Sequence, residues 1–325
     1  MARPGKDHYR LVANRILEGR VSPFLGAGVN LCERPEKTPW QLGVYLPNAD
    51  ELAHALAVKS LYPDKKDVDL LRVSQWMDAI LGEGALYEYL RSLFDADYPP
   101  NSVHRLLAGI PSAMKAKGAQ PAHQLILTTN YDDALERAFD EKGEKYDLVW
   151  YEAKKKRGLC GKFVHRPPGE EPRPIDVPNE YADLSLDERT VILKLHGAVD
   201  RADSARDSYV ITEDNYIDYM VQSDISGQIP KTLREYMEDS HFLFLGYSMG
   251  DWNLRVILNR IWGAQQLDLK SWSVQKKHAK AQWNKIEQRL WSDRGNVDLL
   301  YVPLKQYVDG LGKQVFAPAA TVAGV

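Results

Sequence analysis

The stretch Val21-Ser-Pro-Phe-Leu-Gly-Ala-Gly-Val-Asn30 decides the fold, because a short apolar run ends abruptly at two glycines. This pattern predicts a buried strand that enters a tight turn, where glycine lets the backbone approach a ligand closely. The stretch is not a complete dinucleotide fingerprint. Leu31 stands where a third glycine is expected, and Asp50 and Glu51 open a helix instead of following a second strand. A phosphate-binding turn and a plain glycine turn both remain open at this point.

The composition is that of an ordinary globular protein, with 325 residues, 44% hydrophobic and 27% charged. A net charge of −3 gives no electrostatic argument for binding nucleic acid or an anionic membrane. The two cysteines, Cys32 and Cys160, cannot form a disulfide framework or a four-cysteine zinc site. No apolar run has the length of a signal segment or of a bilayer span. We therefore expect a cytoplasmic protein that binds neither membrane nor nucleic acid directly.

Alternating strand and helix patterns predict an α/β fold, a Rossmann-like doubly wound parallel sheet. Residues 45–118 have a helical pattern without a strand signal, which predicts a helical module inserted after the first strand. Residues 151–180 are basic and rich in proline and glycine, which predicts an irregular surface excursion. We expect one catalytic domain over residues 1–316 and a flexible tail at residues 317–325.

Two helices are predicted near the end of the chain. Asp251 is placed to cap a helix at residues 254–262. In a second helix, at residues 280–291, Trp283, Ile286 and Leu290 share one face, which predicts that they belong to the core.

Polar groups or glycines follow the four clearest strands, predicted to end near residues 25, 129, 195 and 246. Because the carboxyl ends of parallel strands meet at one edge of a sheet, ligands bind beyond that edge. The segments that the sequence brings to this edge are Gly26-Ala27-Gly28, Thr129-Asn130-Tyr131-Asp132, His196-Gly197 and Gly246-Tyr247-Ser248. Their combination predicts a ligand site more strongly than any one of them does.

The same four segments resemble motifs of the sirtuin (silent information regulator) family, in order and approximate spacing, across residues 21–250. Gly26-Ala-Gly28 is similar to the family's glycine turn, and Asn130-Tyr131-Asp132 to its Asn-Ile-Asp motif. Leu195-His196-Gly197 matches the catalytic His-Gly, and Gly246-Tyr247-Ser248 takes the place of Gly-Thr-Ser. The run from residue 244 to 254 and the terminal strand and helix resemble, more specifically, bacterial sirtuin-like proteins of antiphage defence.

Two departures from the family pattern bear on the activity. Deacylating sirtuins carry four zinc-binding cysteines in a small module, whereas this chain has Cys160 alone in that region, so we expect no zinc ribbon and no metal. Pro39-Trp40 stands where the family has an Asp-Phe-Arg element. Both departures disfavour protein deacylation.

The resemblance implies an NAD⁺ glycohydrolase, which cleaves the nicotinamide–ribose bond and depletes NAD during abortive antiphage defence. His196 is then the general base or a contact to the ribose hydroxyls, and Asn130 orients water and ribose. Histidine suits proton transfer because its ordinary pKa lies near 6.5. Asp132 is expected to contact the nicotinamide carboxamide. The remaining NAD-binding residues implied are Gly26, Ala27, Gly28, Gly246, Tyr247 and Ser248.

Purely structural roles for the same residues remain open. His196 can be a core histidine that donates to a backbone carbonyl, Asn130 a turn former, Asp132 a helix cap, and Asp251 a cap rather than an NAD ligand. Two other functions also remain, an NAD-dependent protein deacylase and a non-catalytic sensor of NAD or ADP-ribose. Since uncontrolled NAD destruction kills the host, we expect gating by homo-oligomerisation or by a co-encoded partner such as a HerA-type ATPase.

Overall fold

Seven parallel strands make up most of the main sheet, and the helices pack against them. The structure is a computed structural model, and it describes residues 4–120, 122–155, 158–221, 225–249, 255–256, 258, 267–276, 281–293 and 295–318. The strands are β1 Val21–Leu25, β2 Leu125–Thr128, β3 Tyr146–Tyr151, β4 Phe163–Arg166, β5 Arg173–Pro174, β6 Thr190–Lys194, β7 Gly197–Ala198, β8 Ser208–Tyr209, β9 His241–Leu245, β10 Ser271–Gln275 and β11 Val297–Tyr301.

The helices flank this sheet and fill the segment between β1 and β2. Their bounds are α1 Lys6–Leu17, α2 Ala49–Lys59, α3 Leu70–Leu81, α4 Glu83–Phe94, α5 Ser102–Ala116, α6 Ala134–Lys142, α7 Glu213–Val221, α8 Ile225–Gln228, α9 Lys231–Glu238, α10 Ala281–Gln288 and α11 Leu304–Val315. None of the helices in the described part of the chain is long and apolar enough to cross a membrane.

The nine-stranded sheet has the order β11-β10-β9-β1-β2-β6-β3-β4-β5. The seven strands from β11 to β3 are parallel, and β4 and β5 extend the edge in antiparallel fashion. The strands β2 to β6 of this sheet all lie on one side of β1. The later strands β9, β10 and β11 lie on its other side. This reversal of strand order beside β1 is the place where α/β sheets bind their ligands. The fold is therefore Rossmann-like α/β, as the sequence predicts.

The sheet separates two apolar layers because neighbouring residues of a strand point to opposite faces. Leu25 and Ile192 face helices α1, α5, α6 and α11, whereas Phe24 and Leu193 face α7 and α9. All of these side chains are buried, which explains why the central strands read as continuous apolar runs rather than as alternating ones.

A third apolar cluster joins α2, α3 and α4 to the segments that follow β2 and β6. The residues from those segments include Tyr131, Val199 and Tyr209, all of them buried. The hydroxyl of Ser74 on α3 also donates to the Ile211 carbonyl at 2.7 Å. Helices α2, α3 and α4 thus pack against the carboxyl-end side of the sheet.

Two sequence predictions differ from the structure. Within the predicted excursion at 151–180, β4 pairs with β3, because Phe163 and Val164 are buried against the edge of the sheet. On α10, Trp283 and Ile286 are 55% and 46% exposed, so the prediction that they belong to the core is wrong. Asn284 of this helix is buried instead. The buried aromatic residue of this region is Trp291, which lies just after α10.

Three other predictions lie wholly or mainly outside the described residues. They are the cap at Asp251, the helix at 254–262 and most of the tail at 317–325.

Candidate active site

Four neighbouring strands bring the predicted site segments to one edge of the sheet. The strands β9, β1, β2 and β6 are consecutive and parallel, so their carboxyl ends lie side by side. The register confirms this alignment, because Leu25 pairs with both Leu245 and Thr128, and Thr128 pairs with Lys194. Each of these residues is the last or next-to-last of its strand before a predicted site segment.

The glycine turns after β1 and β9 pack directly against each other. Gly26 N–H donates to the Leu245 carbonyl at 3.0 Å, and Gly28 N–H donates to the Gly246 carbonyl at 2.8 Å. A Cβ on Gly28 would stand 2.5 Å from that same carbonyl oxygen, and Gly246 has φ +73° with the Val29 backbone beside it. Backbone packing therefore requires glycine at these positions, and it engages the N–H groups of Gly26 and Gly28.

Thr129 and Asn130, which follow β2, are hydrogen-bonded to these turns. The Asn130 side-chain amide donates to the Gly26 carbonyl at 3.4 Å, and its backbone N–H donates to the Thr128 hydroxyl at 3.0 Å. The Thr129 hydroxyl lies 2.5 Å from the Tyr247 hydroxyl. Hydrogen bonds thus connect the ends of β1, β2 and β9, and Asn130 lies, partly buried, at the centre of this group.

Asp132 is buried at the start of α6 and has a capping function. Its carboxylate accepts the Ala134 N–H at 3.1 Å, which agrees with the capping interpretation of this residue. Burial raises the pKa of Asp132, and the nearby Lys194 ammonium opposes that rise. The neighbouring Asp133 makes no capping bond but forms an ion pair with Arg201 at 2.5 Å. The Asp132 carboxyl group is therefore buried, with one oxygen engaged in capping.

His196 follows β6 in a buried, aromatic environment. The edges of Tyr216 and Tyr219 meet its ring with centroid distances of 5.4 and 5.7 Å. Its Nδ1 lies 3.4 Å from the Tyr216 hydroxyl, and its Nε2 has no hydrogen-bond partner among the described residues. Burial lowers the pKa of His196 to about 3, so the imidazole is neutral at physiological pH. The core-histidine interpretation expects the ring to donate to a backbone carbonyl, and no such bond occurs within the described structure.

Gly197 allows the chain to pair closely with β8 directly after His196. Its φ is +91°, and Ser208 of β8 approaches so closely that a Cβ would overlap the Ser208 carbonyl. The Val210 N–H donates to the His196 carbonyl at 2.8 Å. The His-Gly pair thus combines a buried imidazole with the backbone conformation that the hairpin β7–β8 needs.

Tyr247 and Ser248 form the outer part of the turn after β9. The Tyr247 ring packs edge-on against Phe24 at 5.2 Å, and its carbonyl accepts from the Gln275 side chain at 2.8 Å. Ser248 is exposed. The turn is therefore held from both sides while its serine faces solvent.

The helices between β1 and β2 contact the site through Arg91 of α4. Its guanidinium donates to both carboxylate oxygens of Asp207, at 3.0 and 3.1 Å, and to the Asp200 carbonyl at 2.8 Å. Asp200 and Asp207 belong to the hairpin that follows His196-Gly197. An open depression of about 560 Å³ lies on α2 and α4 beside Trp40, and none of its lining residues belongs to the four strand ends.

Sequence reasoning missed several residues of this edge. Thr129 and Tyr216 contact the predicted residues, and Lys194 lies beneath them, but none was assigned a role. Lys194 carried a usable signal, since it is a charged residue in the otherwise apolar run Val191-Ile-Leu-Lys-Leu195. No cluster of three or more His, Cys, Asp or Glu side chains suited to a metal occurs in the described ranges.

Comparison with known proteins gives a consistent assignment. A family model described as a SIR2-like domain matches residues 124–298, more than half of the chain. The matched range contains Asn130, Asp132, His196 and the turn after β9, while Gly26 and Gly28 lie before it.

Three curated relatives illustrate the similarity. Defense-associated sirtuin 2 of Bacillus subtilis is 25% identical over 266 residues, covering 78% of this chain and 21% of that protein. The NAD(+) hydrolase ThsA of Enterococcus faecium is 24% identical over 290 residues, covering 87% of this chain and 49% of its own length. The NAD(+) hydrolase ThsA of Bacillus cereus is 28% identical over 255 residues, covering 78% and 42%. The chain thus spans between about a fifth and a half of the length of these relatives.

Proposed function

Because this chain belongs to the SIR2-like domain family, we propose that it is an NAD⁺ glycohydrolase, which cleaves the nicotinamide–ribose bond to give nicotinamide and ADP-ribose. One observation carries the proposal: the carboxyl ends of β9, β1, β2 and β6 are contiguous and carry a buried neutral imidazole, an amide and two glycine turns. The names of the relatives, NAD(+) hydrolase and defense-associated sirtuin, support the same activity.

The reaction needs a water molecule that attacks the ribose carbon as the nicotinamide leaves and positive charge develops on the sugar. His196 is suited to contact the attacking water or a ribose hydroxyl, because burial keeps its ring neutral and able to accept a hydrogen bond. To act as the general base it needs a pKa nearer neutrality than the value of about 3 that burial gives it. Its unpartnered Nε2 is a buried polar atom that a ligand would satisfy. Asn130 is the second catalytic residue of the proposal, and its amide orients the water and the ribose.

The other assignments concern substrate binding. We assign Asp132 to the nicotinamide carboxamide, through the carboxylate oxygen that does not cap α6. Gly26, Ala27 and Gly28 are assigned to the pyrophosphate side. So are the three residues of the turn after β9, namely Gly246, Tyr247 and Ser248. Ser248 is the most accessible hydroxyl of that turn, which supports its role as a contact to the dinucleotide.

We also propose a role in antiphage defence by NAD depletion in the cytoplasm, supported by the name of the Bacillus subtilis relative. Such an activity requires control. Homo-oligomerisation or a co-encoded partner, such as a HerA-type ATPase, would supply that control in this proposal.

Nicotinamide release from NAD⁺ tests the proposed activity directly. The purified protein is assayed in each oligomeric fraction, with and without a co-encoded partner and an acylated peptide. We expect release without peptide, abolished in His196→Ala and Asn130→Ala. His241→Ala serves as the control, since this histidine lies at the amino end of β9 and bonds the Lys270 carbonyl. Release only with peptide would assign a deacylase, and NAD⁺ binding without release in every fraction would assign a sensor.

A further inference from the structure

Lys194 is the last residue of β6, and its side chain is enclosed by protein. Only 1% of the residue is exposed, although lysine is rarely buried unless it is paired. The residue lies two positions before His196 and pairs across the sheet with Thr128, two positions before Asn130. It therefore stands beneath both residues to which the proposed function assigns catalysis.

The ammonium of Lys194 makes three contacts, two to the segment between β2 and α6 and one to the first turn of α6. It donates to the Asp132 carbonyl at 2.5 Å and to the Tyr131 carbonyl at 3.4 Å. It also forms an ion pair with Glu136 of α6 at 2.5 Å. The first two contacts are to the main chain of the turn that carries Asn130, so they constrain its backbone.

We propose that Lys194 is a positioning residue, which fixes the main chain of the turn Asn130-Tyr131-Asp132 relative to His196 for NAD⁺ cleavage. The inference rests on the proposed function, since it assigns a role within the same site. Lys194 belongs to the strand that leads to His196, and its ammonium binds the turn that bears Asn130. One side chain thus sets the distance between the two segments.

A simpler alternative is that Lys194 only neutralises the buried Glu136. Two observations speak against this as the whole explanation. The ammonium divides its donors between Glu136 and two carbonyls, and the second carboxylate oxygen of Glu136 has no partner within the described structure. A lysine that served the carboxylate alone would leave the turn carbonyls to other donors.

The test separates charge pairing from positioning with two variants. Lys194→Met leaves Glu136 buried without its cation, so we expect a lower thermal midpoint. The double variant Lys194→Met/Glu136→Leu removes both charges with side chains of similar size, and we expect the midpoint to recover. Asp147→Asn is the matched control, because it disturbs a buried carboxylate that pairs with Arg189 and hydrogen-bonds His165 near the amino end of β3.

Two readouts are taken on each variant. We expect kcat for nicotinamide release to stay lowered by roughly 10- to 100-fold in the double variant, with KM unchanged, because the turn loses its alignment but not its binding groups. We also expect faster amide hydrogen exchange at residues 129–134. In Asp147→Asn, kcat and the exchange of this segment should match the unmodified protein.

The outcomes distinguish this inference from the proposed function. Unchanged exchange at residues 129–134 in the double variant overturns the inference, and so does faster exchange with an unchanged kcat. If the unmodified protein releases no nicotinamide in any assembly state, the proposed function fails. The exchange measurement then decides alone whether Lys194 holds the turn.

Discussion

His196 should remain neutral to a much lower pH than an ordinary histidine. Its ring is buried against two tyrosine edges, and burial lowers its pKa to about 3. At pH 5, an ordinary histidine with a pKa near 6.5 is about 97% protonated, whereas His196 should be about 99% neutral. We therefore expect the His196 ring signals, observed by NMR after selective labelling of histidine, to show no titration between pH 7 and pH 5.

The same shift makes the stability of the protein depend on pH. The unfolded chain binds a proton at residue 196 below about pH 6.5, but the folded chain does not. The stability contribution is therefore lost progressively as the pH falls from about 7 toward 3. Between pH 7 and pH 5, this group alone should cost about 2 kcal/mol of unfolding free energy.

Urea denaturation at pH 7 and pH 5 measures this cost as a difference between two proteins. The His196→Gln variant lacks the imidazole. Its unfolding free energy should therefore fall by about 2 kcal/mol less between pH 7 and pH 5 than that of the unmodified protein. Other buried groups, including His104, whose pKa is also lowered to about 3, act equally in both proteins and cancel. A His196 signal with a midpoint of pH 6 to 7, or identical pH dependence in both proteins, would refute the reasoning.

Three further substitutions probe the contacts around the site. Arg91→Met should lower the unfolding free energy by about 2–3 kcal/mol, because Asp207 loses its cation, and adding Asp207→Asn should restore most of it in urea denaturation. Gly246→Ala should lower the thermal midpoint more than Gly118→Ala does. Both glycines have a positive φ, but only at Gly246 would a Cβ meet neighbouring backbone, so equal midpoints would contradict this prediction. Tyr247→Phe should lower the unfolding free energy by about 1 kcal/mol and raise KM for NAD⁺, and an unchanged KM would exclude the Tyr247 hydroxyl from a role in binding.

The strands that build the site were predictable because burial on both faces leaves a simple signal. The runs that became β1, β2, β6 and β9 are short and apolar and end in glycine or polar residues, and the structure confirms each of them. The assignment of individual residues to NAD⁺ stays a prediction.

Other features depend on contacts between distant residues and have no local signature. The pairing of β4 with β3 arises because Phe163 and Val164 reach the edge of the sheet, although the surrounding sequence has the composition of a loop. The exposure of Trp283 also follows from tertiary packing, because helical periodicity defines a face but not its partner. The need for glycine at position 28 could not be predicted from the sequence either, because it arises from contact with the distant Gly246.

The contact between the two glycine turns joins segments that are made at very different times. The ribosome synthesises the turn after β1 about 220 residues before Leu245 and Gly246, which accept its N–H groups. Until β9 emerges and pairs, β1 is an open sheet edge and the turn has no native acceptor. On the proposed function, a nascent chain therefore acquires its activity only after β9 has emerged and paired with β1. If the chain destroys NAD as proposed, synthesis of the first turn alone leaves the nascent chain without an assembled site.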